Sequence, residues 1–260
     1  MECGIAQNYI LRYYFRKEMD SFNIKKALLL EVDLQNDFCP AYMNSIGQLT
    51  PPGALAVNSG DKAIPVLNTL ANAIIEGGGK VAASQDWHPA THISFASNHK
   101  GRQIGDIIEA DNVEDQVLWP DHCIQGSWGA KFHESLDINP INLIIRKGFR
   151  TGLDSYSTFF ENDRKTPTGL EGYLRGLGIT HIIIGGLATD YCVFYSVVDA
   201  INLRFNVIVV SDAIYGVDYP KGSTANAVYA MEESGAVFLS SKEILHEITR
   251  NVPSEREPLE

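Results

Sequence analysis

Residues 180–192, which read THIIIGGLATDYC, decide the fold that we predict for this chain. The apolar, mostly β-branched run at residues 180–184 is typical of a parallel strand that is buried on both faces. Gly185 and Gly186 then let the backbone turn sharply, and Thr189 and Asp190 can cap the helix that follows. The stretch therefore predicts a strand, a tight turn and a helix, with Cys192 in the first helical turn.

The position of Cys192 has two interpretations. Unpaired N–H groups and the positive end of the helix dipole favour an anion at the start of a helix, which predicts a lowered thiol pKa and a nucleophilic thiolate. Many free cysteines are instead small, buried and inert. This residue alone does not decide between the two.

Six apolar segments of strand length alternate with segments of helix length along the chain. This alternation predicts an α/β fold, namely a three-layer α/β/α arrangement around a mostly parallel, six-stranded, Rossmann-like sheet. The predicted strands are residues 27–33, 80–85, 143–146, 181–184, 207–211 and 236–240. The predicted helices are residues 62–76, 169–176, 190–203 and 223–234.

The length of the chain suits a single large domain. An α/β domain of 260 residues buries roughly three quarters of the surface that the unfolded chain exposes. We expect this domain to span residues 23–250. Residues 1–22 are predicted to form a poorly ordered N-terminal arm, and residues 251–260 a polar C-terminal tail.

Charge and composition exclude some functions. The net charge of −11 is spread along the chain, which disfavours binding to nucleic acid. No apolar run reaches the roughly 18 residues that span a bilayer, and Arg12, Arg16 and Lys17 interrupt the N-terminal apolar residues, so no signal peptide is expected. The four cysteines lack CxxC spacing, which indicates a reducing compartment. We therefore predict a cytoplasmic protein without a nucleic-acid or membrane partner.

Three of the predicted strands are followed by chemically useful side chains. Asp33 ends the first strand, Lys147 follows the third, and Cys192 follows the fourth. Ligands bind at the carboxyl ends of the strands in open α/β sheets, so these residues can meet at one edge. Each alone has an ordinary explanation, because aspartate often ends a strand and a lysine beside Arg146 is usually solvated. Together they supply a base, a charge stabiliser and a nucleophile.

A second polar group lies at and after the end of the second strand. Asp86 and His88 are two residues apart, so both side chains can point to one side. Carboxylate and imidazole are ordinary ligands of zinc, iron and manganese, and His122 is a candidate third ligand. In the same connection, His99 is predicted to be an exposed polar residue, and His92 is undecided.

Five ordered motifs then resemble a known family. The chain is similar to the nicotinamidases among the isochorismatase-like cysteine hydrolases, from about residue 27 to residue 239. The motifs are DLQNDF at 33–38, QDWHP at 85–89, WPDHC at 119–123, KG at 147–148 with DSYS at 154–157, and GLATDYC at 186–192.

The resemblance implies the roles of the residues around the cysteine. It implies a catalytic triad of Asp33, Lys147 and Cys192. It also implies an oxyanion hole formed by the backbone N–H groups of Ala188 and Cys192, with a cis peptide before Ala188.

The resemblance further implies a metal and a substrate. One divalent metal ion, zinc first and otherwise iron or manganese, is expected on Asp86, His88 and His122, and His92 matches a further ligand found in some relatives. The substrate implied is nicotinamide, hydrolysed to nicotinate and ammonia through a cysteine thioester, with the metal orienting the pyridine ring, in NAD salvage. A homo-oligomer is expected. The residues expected to hold the nicotinamide ring are Phe38, Trp119 and Tyr156.

Three alternatives remain at this point. An amidase acting on a ureido or carbamoyl substrate would share the fold, but such relatives generally lack the metal set. A nucleotide-binding module is disfavoured because no GxGxxG motif follows the first strand. An inactive protein that sequesters nicotinamide or metal is disfavoured by the intact set of Asp33, Lys147 and Cys192.

Overall fold

The computed structural model describes residues 22–110 and 113–251. Its strands are β1 (Ala27–Val32), β2 (Lys80–Asp86), β3 (Ile107–Ala110), β4 (Val113–Val117), β5 (Leu143–Lys147), β6 (His181–Leu187), β7 (Asn206–Tyr215) and β8 (Val237–Leu239). Its helices are α1 (Ala63–Glu76), α2 (Leu170–Gly176), α3 (Phe194–Asn202), α4 (Ser223–Glu233) and α5 (Ser241–Asn251). The main sheet has the order β5-β2-β1-β6-β7-β8 with parallel neighbours, which confirms the predicted fold class.

The central strand β1 shows how the layers form. Successive side chains of a strand point to opposite faces, so Leu29 packs with Leu67 of α1 and Ile244 of α5 on one side. Leu30 packs with Val197 of α3 on the other side. Both faces of the sheet are thus covered by helices, as the continuous apolar sequence of a parallel strand requires.

The two glycines of the decisive stretch do not end the strand, contrary to the sequence prediction. The strand β6 runs through both of them to Leu187. At Gly186 the φ angle is +125°, and a Cβ atom there would lie 2.2 Å from the carbonyl oxygen of Val32. Glycine is therefore required because β6 passes very close to the end of β1, which brings the two strand ends together.

Further elements differ from the sequence prediction. The helix expected from residue 190 begins as a π-helical turn, Thr189–Val193, and becomes α-helical only at Phe194. The hairpin of β3 and β4 was not predicted, because its strands pair only with each other inside a long acidic connection. The helix α5 was not predicted either, because it is mostly polar and buries only a narrow apolar stripe that includes Ile244 and Ile248.

The predicted arm and tail fall largely outside the described residues. Phe22, the last residue of the arm, is buried, and its ring lies 5.5 Å from that of His181. Residues 1–21 and 252–260 are not described, and α5 includes Asn251, the first residue of the predicted tail. Within the described ranges, no helix combines the length and the apolar character needed to cross a membrane.

One buried carboxyl group in β1 departs from the apolar pattern. Glu31 is fully buried, and neither of its carboxyl oxygens has a hydrogen-bond partner among the described residues. Burial, together with the charge of Asp137, raises the pKa of Glu31 to about 8. The side chain is therefore neutral at neutral pH, which lets a glutamate occupy an apolar core position.

Candidate active site

Lys147 lies at the centre of the candidate site, at the carboxyl end of β5. Its Nζ atom is 2.9 Å from Oδ2 of Asp33 and 3.2 Å from Sγ of Cys192, and it donates a hydrogen bond of 3.0 Å to the carbonyl oxygen of Ser155. Lys147 and Asp33 are fully buried, and Cys192 is 6% exposed. The structure thus brings together the three residues that the strand-end argument had grouped.

Asp33 is fixed by a serine on the neighbouring strand. The hydroxyl of Ser84 on β2 donates a hydrogen bond of 2.6 Å to Oδ1 of Asp33, and it accepts one of 3.1 Å from the backbone N–H of Asp33. The second carboxylate oxygen of Asp33 is left to face Lys147. Sequence analysis missed Ser84, because a serine within a buried strand has no motif of its own.

The protonation states follow from burial and charge. Burial disfavours the charged form of Lys147, but Asp33 and Asp86 outweigh it and raise the pKa of the lysine well above its usual value. Burial, with Asp33 and Asp86, raises the pKa of the Cys192 thiol well above its usual value although Lys147 acts in the opposite direction. The net shift is therefore opposite to the lowering expected from the helix start, and it favours the thiol form of the resting side chain.

Asp33, the candidate proton acceptor, has a raised pKa. Burial raises the pKa of Asp33 above its usual value, and the opposing effects of Lys147 and Ser84 only partly offset it. A buried carboxylate beside a thiol is in the position of a general base. The arrangement can transfer the thiol proton within the site when a substrate is present.

Asp86 joins this group to a pair of histidines. Its Oδ1 atom lies 2.5 Å from Nζ of Lys147, while its Oδ2 atom lies 3.5 Å from Nε2 of His88 and 3.8 Å from Nε2 of His122. Burial alone would raise the pKa of Asp86, but Lys147 and His88 hold it well below its usual value. Asp86 is thus an anion shared between the lysine and the histidines.

Both histidines are oriented by backbone carbonyls. Nδ1 of His88 lies 2.8 Å from the carbonyl oxygen of Gly148, and Nδ1 of His122 lies 2.8 Å from that of Pro120. Each Nδ1 therefore carries a proton, so Nε2, which faces Asp86, is the atom that could coordinate a metal ion. Burial lowers the pKa of His88, but Asp86 outweighs burial and raises that pKa above its usual value. A Cβ atom on Gly148 would lie 2.5 Å from the ring of His88, so only glycine permits this contact.

These donors fit a divalent metal ion. The ligand atoms of Asp86, His88 and His122 lie within 4.8 Å of one another, and all three residues are buried. One carboxylate oxygen and two imidazole nitrogens are a donor set that zinc, iron and manganese accept.

His92 lies beside this set. Its ring centroid is 4.2 Å from that of His88, and its Nδ1 atom is 2.7 Å from the hydroxyl of Ser94. Its Nε2 atom is buried without a hydrogen-bond partner in the described part of the chain, 4.0 Å from Oδ1 of Asp154. His92, His88 and Asp154 also form a group that could hold a metal ion, so a role for His92 stays a prediction.

A cavity opens above Cys192 and the metal-ligand candidates. Its walls include the three aromatic residues predicted to hold a ring, and Nε1 of Trp119 donates a hydrogen bond of 3.0 Å to the hydroxyl of Tyr156. Ala188 also lines it, and the peptide before Ala188 is cis, as the family resemblance implies. The lining residues that sequence analysis missed are Leu55, Asp154, Tyr191 and Val217.

Gln35 is a further residue that sequence analysis did not single out. Its side-chain amide donates a hydrogen bond of 2.8 Å to the carbonyl oxygen of Asp86 and accepts one of 2.8 Å from the backbone N–H of Asp86. This two-way contact fixes the end of β2. The sequence could have indicated this residue, since Gln35 belongs to the first of the five motifs, DLQNDF at 33–38.

Comparison with known proteins defines the class of protein to which this chain belongs. Residues 27–243 match the isochorismatase domain model. The chain belongs to the isochorismatase family of hydrolases, and the relatives that match it at 43–44% identity are nicotinamidases, as the sequence motifs predict.

The relatives cover nearly the whole domain. A nicotinamidase from Acinetobacter baylyi is 44% identical over 84% of this chain and 94% of its own length, and one from Escherichia coli is 43% identical over 82% and 93%. The solved structure of an Acinetobacter baumanii nicotinamidase and pyrazinamidase has a TM-score of 0.76 at 43% identity, covering 85% of this chain and 98% of that one. A Pyrococcus horikoshii pyrazinamidase in complex with zinc has a TM-score of 0.64 at 30% identity, covering 83% of this chain and 99% of that one.

The charge balance around the thiol can be tested by replacing Asp33 with asparagine. The Asp33 carboxylate raises the pKa of Cys192, so Asp33→Asn should lower that pKa and move the pH profile of Cys192 alkylation by iodoacetamide to lower pH. Alkylation is followed on the Cys192 peptide by mass spectrometry, with the Cys39 peptide as an internal control. An unchanged profile would show that Asp33 does not control the thiol.

Proposed function

We propose that this chain is a nicotinamidase, which hydrolyses nicotinamide to nicotinate and ammonia in NAD salvage. The observation that carries the proposal is the position of Lys147, whose ammonium contacts the candidate base Asp33, the candidate nucleophile Cys192 and the candidate metal ligand Asp86. The nicotinamidase relatives at 44% and 43% identity support the same reaction.

In this reaction, Asp33 accepts the proton of the Cys192 thiol as the sulfur attacks the carboxamide carbon. A carbon–sulfur bond forms, and the electron pair of the carbonyl moves to its oxygen. The backbone N–H groups of Ala188 and Cys192 stabilise that oxyanion, and loss of one such donor typically costs about 3 kcal/mol. Asp33 then gives its proton to the departing nitrogen, so that the carbon–nitrogen bond breaks and ammonia leaves a thioester on Cys192.

Hydrolysis of the thioester repeats these steps with water. Asp33 accepts a proton from water, whose oxygen forms the new bond to carbon, and Cys192 leaves as a thiolate that regains the proton. Lys147 stays charged throughout, because two carboxylates raise its pKa well above its usual value. Its ammonium stabilises both the carboxylate and the thiolate.

The metal expected here is one divalent ion on Asp86, His88 and His122, with zinc favoured over iron or manganese. The support is the buried donor set itself, together with the zinc complex of the Pyrococcus horikoshii pyrazinamidase. When bound, such an ion supplies a Lewis acid for the pyridine nitrogen and thereby orients the substrate. These three residues would hold it, and the charge of the bound ion would itself keep the Asp86 carboxylate deprotonated.

Three aromatic side chains of the cavity are positioned to bind the pyridine ring of nicotinamide. Phe38, Trp119 and Tyr156 line the cavity beside Cys192, and planar side chains suit a planar pyridine ring. A cytoplasmic location and a homo-oligomer remain predictions from the sequence.

The nucleophile is tested by Cys192→Ala, with Cys39→Ala as a matched control. Cys39 is also a buried free cysteine, but it does not line the cavity. Ammonia release from nicotinamide should fall by roughly a thousandfold or more in Cys192→Ala, because no other group there can form the thioester. It should remain near the wild-type rate in Cys39→Ala.

Two results would contradict the proposal. Wild-type protein that releases ammonia from a ureido substrate but not from nicotinamide would assign it to a different amidase. Cys192→Ala protein with the wild-type rate would exclude Cys192 as the nucleophile.

The metal set is tested by His122→Ala, with His99→Ala as the control. Nε2 of His99 bonds the carbonyl oxygen of Ile93, and His99 is in none of the groups that could hold a metal. Purified His122→Ala protein should contain much less zinc by elemental analysis than wild type, and its KM for nicotinamide should rise, whereas His99→Ala should retain its zinc. Full metal content in His122→Ala would show that the site is elsewhere.

A further inference from the structure

A loop between β7 and α4 is attached to the turn that carries Cys192. Asp190, which is 8% exposed, lies two residues before the cysteine. Its Oδ1 atom accepts a hydrogen bond of 2.9 Å from the backbone N–H of Val217. Its Oδ2 atom accepts one of 2.8 Å from the N–H of Asp218 and one of 2.5 Å from the hydroxyl of Ser223. A single carboxylate thus binds one continuous stretch of chain.

Val217 and Asp218 belong to the 216–222 loop, which is defined as residues 216–222 and ends directly before Ser223, the first residue of α4. The loop is itself tightly built. Oδ1 of Asp218 accepts a hydrogen bond of 2.8 Å from the N–H of Gly222, which closes the loop. A Cβ atom on Gly216 would lie 2.0 Å from the hydroxyl oxygen of Thr224, so the loop lies directly against the start of α4. The loop therefore has few ways to move without breaking its bonds to Asp190.

A second attachment runs through the next residue. The hydroxyl of Tyr191 donates a hydrogen bond of 2.6 Å to the carbonyl oxygen of Tyr219. The ring of Tyr191 lies edge-on to that of Trp119 at 4.9 Å and contacts that of Tyr156 at 5.5 Å. The loop is thus joined to the aromatic walls of the cavity as well as to the cysteine turn.

The loop contributes one wall of the cavity. Val217 lines the cavity together with Cys192, Tyr191 and Phe38. Asp190 bonds the backbone of Val217 and also belongs to the Cys192 turn, so it connects this wall of the cavity directly to the turn that carries the sulfur.

We propose that Val217 is a specificity-determining residue that excludes heteroaromatic carboxamides with alkyl substituents on the ring, and that Asp190 is the positioning residue that holds Val217 at the required distance from Cys192. This inference rests on the proposed hydrolysis of nicotinamide.

The first test is Val217→Ala, with Val66→Ala on α1 as the control. Val66 is a partly buried valine that does not line the cavity. The probes are nicotinamide and its four ring-methylated forms. For at least one methylated form, the ratio of its kcat/KM to that of nicotinamide should rise about tenfold in Val217→Ala, since one methyl group in a pocket has an effect of this size. If every ratio stays at the value of the control, Val217 does not determine specificity.

The second test is Asp190→Asn, with Asp212→Asn as the matched control. Asp212 likewise bonds the start of a helix, accepting 2.7 Å and 2.6 Å hydrogen bonds from the N–H and hydroxyl of Ser241, but it lines no part of the cavity. Asp190→Asn should raise KM for nicotinamide about tenfold, as expected for loss of a charged hydrogen bond, with a smaller change in kcat. It should also weaken discrimination against the methylated forms.

A merely structural role would give a different pattern. Partial unfolding lowers the active fraction, which reduces the apparent kcat and leaves KM and the substrate ratios unchanged; that result would overturn the role of Asp190. If Asp190→Asn does not fold, Val217→Ala still decides the specificity claim. Wild-type protein without activity on nicotinamide would instead refute the proposed function itself.

Discussion

The structure depends on one buried ammonium group held between two carboxylates. Lys147 is fully buried, and its ammonium contacts the carboxylates of Asp33 and Asp86, which are also buried. These opposite charges compensate for the cost of burying three ionisable groups. Removing one member of such a group leaves an uncompensated charge in the protein interior, which is strongly destabilising. The ends of β1, β2 and β5 therefore have to meet, and the parallel sheet is the framework that achieves this.

Lys147 contacts both the candidate catalytic pair and a candidate metal ligand. In the proposed reaction, Asp33 and Cys192 form a proton-transfer pair on one side of the lysine, and on the other side Asp86 faces the two histidine nitrogens. Burial and the two carboxylates raise the pKa of the thiol, which favours its less reactive protonated form. The proposed reaction therefore activates the cysteine by transfer of its proton to Asp33 as the substrate arrives.

Much of this could be predicted from the sequence, for identifiable reasons. The parallel strands are apolar on both faces, so their sequences are distinctive, and their order along the chain placed Asp33, Lys147 and Cys192 at one edge. The hairpin of β3 and β4 and the helix α5 could not be predicted, since their apolar patterns are weak. Ser84 and Asp190 were missed as anchors because their partners, Asp33 and the 216–222 loop, are distant in sequence. Such contacts are set only by the folded chain.

The central claim is that the Lys147 ammonium makes the cysteine chemistry possible, while the metal ligands hold their ion without it. The most direct measurement is acid quenching of wild-type and Lys147→Met protein during reaction with nicotinamide, followed by mass spectrometry of the Cys192 peptide and elemental analysis of the protein. The account predicts a nicotinoyl thioester on Cys192 in the wild type and almost none in the folded fraction of Lys147→Met, which is identified by its bound metal. Thioester formation at the wild-type rate in Lys147→Met would contradict it.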